Sequence, residues 1–166
     1  MGGQVQPGAE AWSHNGTLTS GVLVIHGFTG NPSSVRELAE RFAAEGFHVE
    51  VPRLSGHGTV IEDMIPTRWS DWSADVAAAY KALASRCHKV IVAGQSMGGA
   101  LTLWLAAHHP EIAGIVCINP VAQGRTAEEI AFFEAIIESG EESLAGIGSD
   151  IADTQVVENS YAGTPL

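Results

Sequence analysis

Short apolar runs recur along the chain, and segments that are apolar on one side only lie between them. Four runs have the length and composition of strands buried on both faces: residues 21–25, 47–51, 90–93 and 112–118. Strands that alternate with helices form parallel sheets with right-handed crossovers. The pattern therefore predicts an α/β fold, a three-layer αβα sandwich around a mostly parallel sheet.

The segments between these runs are predicted helices. Asn31 suits an N-cap, Pro32 suits the first helical position, and Gly46 ends this helix. Residues 69–83 place tryptophan, tyrosine and aliphatic side chains at helical spacing on one side. Residues 97–108 are apolar almost all round, which is typical of a helix packed between a sheet and covering layers.

The start of the chain carries a turn signal. Residues 9–12 are a candidate short strand, and Asn15-Gly16 follows it before the first apolar run. Both positions tolerate positive φ, so this dipeptide predicts a β-hairpin turn.

The alternation stops after Pro120. Residues 127–138 are a predicted amphipathic helix with Ile130, Phe133 and Ile137 facing inward, and no further buried strand is evident before Leu166. We therefore assign residues 1–120 to the N-terminal part of the core and residues 121–166 to a partial helical cap.

The strongest chemical signal is VIVAGQSMGGA at residues 90–100. Gly94, Gln95, Ser96, Met97 and Gly98 form a G-x-S-x-G motif between an apolar strand and an apolar helix. Small residues are needed there because the sharp turn brings the backbone very close to the helix. The helix N-terminus favours negative charge beside the serine. We predict Ser96 as a nucleophile; the alternative is that it only caps the helix.

A second loop, His26-Gly27-Phe28-Thr29-Gly30, follows the first main strand. In acyl transfer the substrate carbonyl oxygen becomes negative, and two backbone N–H groups stabilise it. The N–H groups of Phe28 and Met97 are the candidates for this oxyanion hole. The side chain of His26 is interpreted as a structural imidazole, and Gly27 as part of the turn.

A third loop carries Gly56-His57-Gly58 after the second main strand. Its position predicts that it shapes the site. A role for His57 as catalytic base is the less favoured alternative.

Together these motifs resemble those of the small bacterial carboxylesterase and monoacylglycerol lipase family of α/β-hydrolases. The resemblance runs from about residue 8 to the end, and its motifs are HGFTG (26–30), PRLSGHGT (52–59), WSDW (69–72) and GQSMGG (94–99). It implies ester hydrolysis without metal or organic cofactor, a small helical cap, and monoacylglycerols or short- to medium-chain monoesters as substrates. Amide hydrolysis, C–C bond hydrolysis and acyl transfer use the same serine turn and remain alternatives.

The chain departs from this family in its triad. The order in the fold is Ser, then Asp or Glu, then His, but the first aspartate after Ser96 is Asp150 and the last histidine is His109. A helix of twelve residues would hold His108 and His109 about 18 Å from the hydroxyl, far beyond the ~3 Å reach of a base. We expect the C-terminal strands, acid and base to lie beyond Leu166. This chain alone would then be inactive, as a fragment or a pseudoenzyme.

Composition limits the partners. The chain has 166 residues, 45% of them hydrophobic, and a net charge of −11, which disfavours nucleic acid. No apolar run approaches the ~20 residues of a membrane span, and no signal peptide is evident. Cys87 and Cys117 are predicted to be reduced, in a cytoplasmic protein. The expected partner is a small-molecule ester, and an exposed apolar edge around Ile115 is predicted to permit self-association.

Overall fold

Five strands form one sheet in which only the first strand runs antiparallel. The computed structural model describes residues 2–124 and 126–140 and two short strands at 143–145 and 163–165. The sheet contains β1 (Trp12–His14), β2 (Ser20–Ile25), β3 (His48–Val51), β4 (Lys89–Gln95) and β5 (Gly114–Ile118), in the order β1-β3-β2-β4-β5. β1 pairs antiparallel with β3, and the other pairs are parallel. The predicted mostly parallel sheet is confirmed.

Helices cover both faces of this sheet. These are α1 (Arg36–Ala44) on one face and α3 (Trp69–Ala84) and α4 (Met97–His108) on the other. The short α2 (Ile61–Met64) follows β3, and α5 (Ala127–Glu138) follows β5. Side chains alternate along β2 because a strand has a period of two. Val22 and Val24 pack on the α1 side, whereas Leu23 and Ile25 pack on the side of α3 and α4. This arrangement confirms the three-layer αβα sandwich.

The first helical segment begins as the sequence predicts. Asn31 is extended, and its side chain accepts a hydrogen bond from the Ser33 N–H at 2.9 Å. A 3₁₀ turn over Pro32–Val35 precedes α1. Gly46 follows α1 with φ of 88°, a left-handed conformation that glycine adopts without strain.

The predicted hairpin turn at Asn15-Gly16 is wrong. β1 pairs with β3, which lies between β1 and β2 in the sheet, so residues 15 and 16 do not join neighbouring strands. Gly16 is instead required by close packing: a Cβ there would lie 2.1 Å from the carbonyl oxygen of Gly46. Glycine is therefore required at position 16 by packing against a distant segment, not by a hairpin turn.

β5 carries an exposed apolar edge. Ile115, Val116 and Ile118 are each 42–43% exposed, and within the described ranges no strand pairs with the outer side of β5. Such an edge is a template for further strand pairing.

The region assigned to the cap is described only in part. It contains α5 and an antiparallel pair, β6 (Ser143–Ala145) with β7 (Gly163–Pro165). The inward orientation predicted for Ile130 is wrong, since its side chain is 46% exposed. Phe133 is half-buried, and the side chain of Ile137 lies outside the described residues. An apolar stripe is buried only where another layer covers it. Residues 146–162 lie outside the described residues, so the cap assignment stays a prediction.

Within the part of the chain that the structure describes, no helix is long and apolar enough to cross a membrane.

Candidate active site

Ser96 lies at a sharp bend between β4 and α4. Its φ of 54° and ψ of −118° are rare for a residue with a Cβ. The Ser96 N–H donates to the carbonyl oxygen of Ile118 at 2.9 Å, and the Ser96 carbonyl accepts from the Gly99 N–H at 2.9 Å. These bonds hold the strained backbone between a strand and a helix, and the residue is half-buried.

The glycines on either side of Ser96 make this bend possible. A Cβ on Gly94 would lie 2.1 Å from the carbonyl oxygen of Gly98, and one on Gly98 would lie 2.3 Å from that of Ile25. Both distances are far below van der Waals contact, and the opposing atoms are backbone. The bend therefore requires glycine at both positions, while Gln95 between them is exposed.

The loop after β2 lies directly against Ser96. A Cβ on Gly27 would lie 3.2 Å from the Ser96 Cβ and 3.7 Å from its Oγ. The Gly30 N–H donates to the Gly27 carbonyl at 3.2 Å, and Thr29 has φ of 61°. The tight turn brings the backbone of Gly27 beside Ser96. On the other side, Met97 opens α4, where first-turn N–H groups have no partner within the helix.

His26 is buried, and backbone groups engage both of its ring nitrogens. Nδ1 lies 2.9 Å from the Gly27 carbonyl, and Nε2 lies 3.2 Å from the Leu54 nitrogen. A carbonyl only accepts and an amide only donates, so Nδ1 carries the proton and Nε2 is bare. Burial lowers the pKa of His26 to about 3, and repulsion from His57 adds to this effect. The ring is neutral and links two loops of the site.

His57 is also fully buried. Its Nδ1 donates to the Ser55 carbonyl at 3.0 Å, and among the described residues its Nε2 has no hydrogen-bond partner. Burial lowers the pKa of His57 below its ordinary value. Its ring centroid is 5.9 Å from that of Phe28 and 5.8 Å from that of Trp72. His57 therefore belongs to an aromatic cluster under the loop of residues 26–30.

The other five histidines of the chain lie away from Ser96. His14 pairs with Val49, and His48 begins β3, so both lie at the amino end of the parallel strands. His88 precedes β4, again at the end opposite to Ser96. His108 and His109 lie at the far end of α4. The structure thus places none of these five histidines at Ser96.

An apolar cavity borders the same bend. Its volume is about 260 Å³, and its lining includes Val24, Leu38, Gln95 and Ile118. The cavity lies on the α1 side of the sheet, next to Gln95, which precedes Ser96.

Comparison with known proteins identifies the family. The family model described as serine aminopeptidase, S33, matches residues 18–158. The chain belongs to this family. Its similarity extends to a thermostable monoacylglycerol lipase of Bacillus sp. (strain H-257), 47% identical over 165 residues that are 97% of this chain and 63% of that protein. A carboxylesterase of Bacillus subtilis (strain 168) is 38% identical over 96 residues, 57% of this chain and 39% of that protein.

Solved structures show the same fold. A structure reported for work on LipS and LipT, two metagenome-derived lipolytic enzymes, superposes with a TM-score of 0.88 at 46% identity. It is covered over 65% of its length, and it covers 98% of this chain. A thioesterase domain from the curacin biosynthetic pathway, with a TM-score of 0.60 at 20% identity, shares the fold. The chain has the α/β-hydrolase fold and spans 63% of the Bacillus sp. lipase and 65% of the structure from the LipS and LipT work.

The S33 fold also brings residues to the site that sequence reasoning did not assign to it. The sequence places Trp72 in a helical stripe and in the WSDW motif without a role at the site, yet its Nε1–H donates to the Ser55 carbonyl at 3.0 Å. Asp75 accepts from the Ser55 N–H at 2.6 Å. The WSDW motif was a signal for Trp72, but nothing local to Asp75 indicated a loop 20 residues away.

Proposed function

We propose that the whole protein is a carboxylic ester hydrolase that acts through an acyl-enzyme on Ser96. The single observation that carries this proposal is the positive-φ bend at Ser96, packed against Gly27. The Ser96 oxygen attacks the ester carbonyl, and the alcohol leaves. Water then releases the acid. The backbone N–H groups of Phe28 and Met97 stabilise the oxyanion, and Gly94, Gly98 and Gly27 shape the turn.

Monoacylglycerols and short- to medium-chain monoesters are the proposed substrates. The relatives are named monoacylglycerol lipase and carboxylesterase, and the cavity of about 260 Å³ beside Gln95 has the apolar lining that an acyl chain prefers. This mechanism requires neither a metal nor an organic cofactor.

The general base and its acidic partner are proposed to lie outside the described residues. All seven histidines of the sequence are described. Backbone groups engage both ring nitrogens of His26, and His57 is packed against Phe28 and Trp72 with its Nε2 enclosed. A longer form of the protein would supply the missing histidine. The 166-residue chain by itself is then expected to turn over esters slowly or not at all.

A fluorophosphonate probe and an ester assay test this proposal. A longer form should be labelled at one serine and should hydrolyse p-nitrophenyl butyrate and a monoacylglycerol. Both signals should vanish in Ser96→Ala and persist in the surface control Ser85→Ala. Labelling or turnover that survives Ser96→Ala would refute the assignment. Robust turnover by the 166-residue chain would show that a base exists within it.

Amide hydrolysis is a second candidate, because the matching family is described as a serine aminopeptidase. The same serine would attack an amide carbonyl, and the backbone N–H groups of Phe28 and Met97 would stabilise its oxyanion. A panel of aminoacyl and acyl nitroanilides beside the esters separates the two. Turnover of amides with failure on every ester would favour this reading.

Three further proposals concern the cap, the cellular location of the protein and its self-association. Residues 121–166 form part of a helical cap, and the protein is cytoplasmic. The exposed edge of β5 supports self-association through strand pairing. Light scattering after gel filtration measures the oligomeric state. If the β5 edge pairs between two copies, Val116→Lys should convert the dimer into a monomer.

A further inference from the structure

One backbone carbonyl orients two aromatic side chains beside the candidate oxyanion loop. The Ser55 carbonyl lies 3.0 Å from the Trp72 Nε1 and 3.0 Å from the His57 Nδ1. A carbonyl oxygen only accepts, and its two lone pairs allow two donors, so both ring nitrogens carry their proton toward it. The planes of both rings therefore depend on the position of the Ser55 peptide.

The Ser55 peptide is itself tied to α3. Its N–H donates to the Asp75 carboxylate at 2.6 Å, and Asp75 lies one turn beyond Trp72 on the same helix. The Arg53 guanidinium donates to the His57 carbonyl at 2.8 Å and restrains the loop from its other end. The carboxylate acceptor makes the Asp75 bond one of the stronger kind. The helix thus holds both the N–H and the C=O of residue 55.

The two oriented rings form a wall against Phe28. The Phe28 centroid is 5.9 Å from His57 at 77° and 5.7 Å from Trp72 at 63°. These are edge-to-face contacts, the geometry that aromatic pairs prefer. The His57 and Trp72 rings contact each other in the same way, at 5.8 Å and 73°. Phe28 is therefore held by two rings that one peptide orients.

The backbone at Phe28 needs such support. Gly27 before it has no side chain, and Thr29 after it adopts a positive φ of 61°, which is strained for a residue with a Cβ. The Gly30 N–H and the His26 Nδ1 both donate to the Gly27 carbonyl, at 3.2 and 2.9 Å, and these bonds restrain residue 27 rather than the peptide of Phe28. The side chain of Phe28 is the anchor that sets where its own N–H points.

We infer that His57 and Trp72 are positioning residues, which hold the Phe28 amide in place through the Ser55–Asp75 network. The inference rests on the proposed function, because only an oxyanion amide needs this precision. It assigns His57 a task other than proton transfer. With Nδ1 bonded and Nε2 enclosed without a partner among the described residues, the ring works as a neutral wall.

Hydrogen exchange followed by mass spectrometry tests the inference on the 166-residue chain, without requiring ester turnover. His57→Asn retains a donor near the Nδ1 position and removes the ring. Trp72→Phe retains a ring and removes the donor. Trp69→Phe, three residues earlier on α3 and 41% exposed, is the matched control. Each test variant should speed exchange at residues 26–31 by roughly fivefold to tenfold, the factor expected for losing an aromatic contact or a buried hydrogen bond.

Hydrogen exchange in the strands of the sheet shows whether the effect is confined to residues 26–31. Peptides covering 20–25 and 89–95 should change little, and Trp69→Phe should match the unmodified chain. Equal acceleration in those strands would mean that the two rings serve general stability, and unchanged exchange at residues 26–31 would mean that they do not hold the loop. Either result would overturn the inference.

A kinetic readout completes the test in an ester-hydrolysing form of the protein. Both variants should lower kcat by about tenfold while KM stays within about twofold, because an oxyanion donor acts mainly in the transition state. Loosened exchange with unchanged kcat would also overturn the inference. If no form of the protein hydrolyses esters, the proposed function fails, and the exchange data still report whether the rings position the loop.

Discussion

Ser96 stores backbone strain that a substitution can release. A residue with a Cβ held at φ of 54° and ψ of −118° costs about 1–3 kcal/mol. Glycine adopts positive φ readily, although its unfolded-state entropy offsets about 0.5–1 kcal/mol of that gain. Ser96→Gly should therefore be about 0.5–2 kcal/mol more stable than Ser96→Ala, which retains the Cβ. For a chain of this size, that difference raises Tm by about 2–6 °C.

Thermal unfolding monitored by circular dichroism measures this difference. The comparison uses Ser96→Gly against Ser96→Ala, so that loss of the hydroxyl is common to both. Ser85 provides the matched control, since its φ of −66° is ordinary and glycine there should be less stable than alanine. If Ser96→Gly melts at or below the temperature of Ser96→Ala, the bend is not strained, and the stability cost that we attribute to the nucleophile position does not exist.

Three further substitutions follow from the packing and the electrostatics. Gly98→Ala should destabilise the chain by about 3 kcal/mol or more in urea unfolding, because backbone atoms 2.3–2.5 Å from the new Cβ cannot move away. Gly114→Ala is the control and should be neutral, since no atom lies within 4 Å of its new Cβ. Equal losses of stability in the two variants would contradict this account. Gly27→Ala should slow fluorophosphonate labelling of Ser96 in a longer form, since its Cβ would lie 3.7 Å from Oγ and 3.2 Å from the Ser96 Cβ. Unchanged labelling would argue against an approach of the probe from that side. The pKa of His26 falls from 6.5 unfolded to about 3 folded, so its stabilising contribution is complete above pH 6.5 and is lost as the pH falls toward 3, at up to about 1.4 kcal/mol per pH unit. Urea unfolding between pH 7.5 and 4.5 measures the free energy of unfolding of the unmodified chain and of His26→Gln. The difference between the two should narrow as the pH falls. Parallel pH profiles would show that His26 makes no pH-dependent contribution to stability.

Much of the core was predictable because its signals are local. The apolar runs ending at Ile25 and Ala93 are continuous, since parallel strands are covered on both faces. Asn31 and Pro32 acted through hydrogen bonding and a preset φ within a few residues of themselves. The glycines around Ser96 marked a bend for the same reason, because a strand-to-helix turn makes its steric demand within the turn itself.

Other features depended on contacts between segments far apart in sequence. Asn15-Gly16 carried the signature of a hairpin, but β3 lies between β1 and β2 in the sheet. Gly16 is required instead because it packs against the backbone of Gly46. Ile130 satisfied a helical stripe and still lies exposed, because burial depends on what covers a face.

The sequence by itself determined the layered sheet, the serine turn and the neighbouring glycine loop, since periodicity, capping and turn chemistry operate over a few residues. Only the tertiary structure decided that His26 and His57 are buried and neutral, and that Trp72 and Asp75 meet at the Ser55 peptide. Solvent exclusion and hydrogen-bond geometry arise when distant segments pack together, so no local pattern records them.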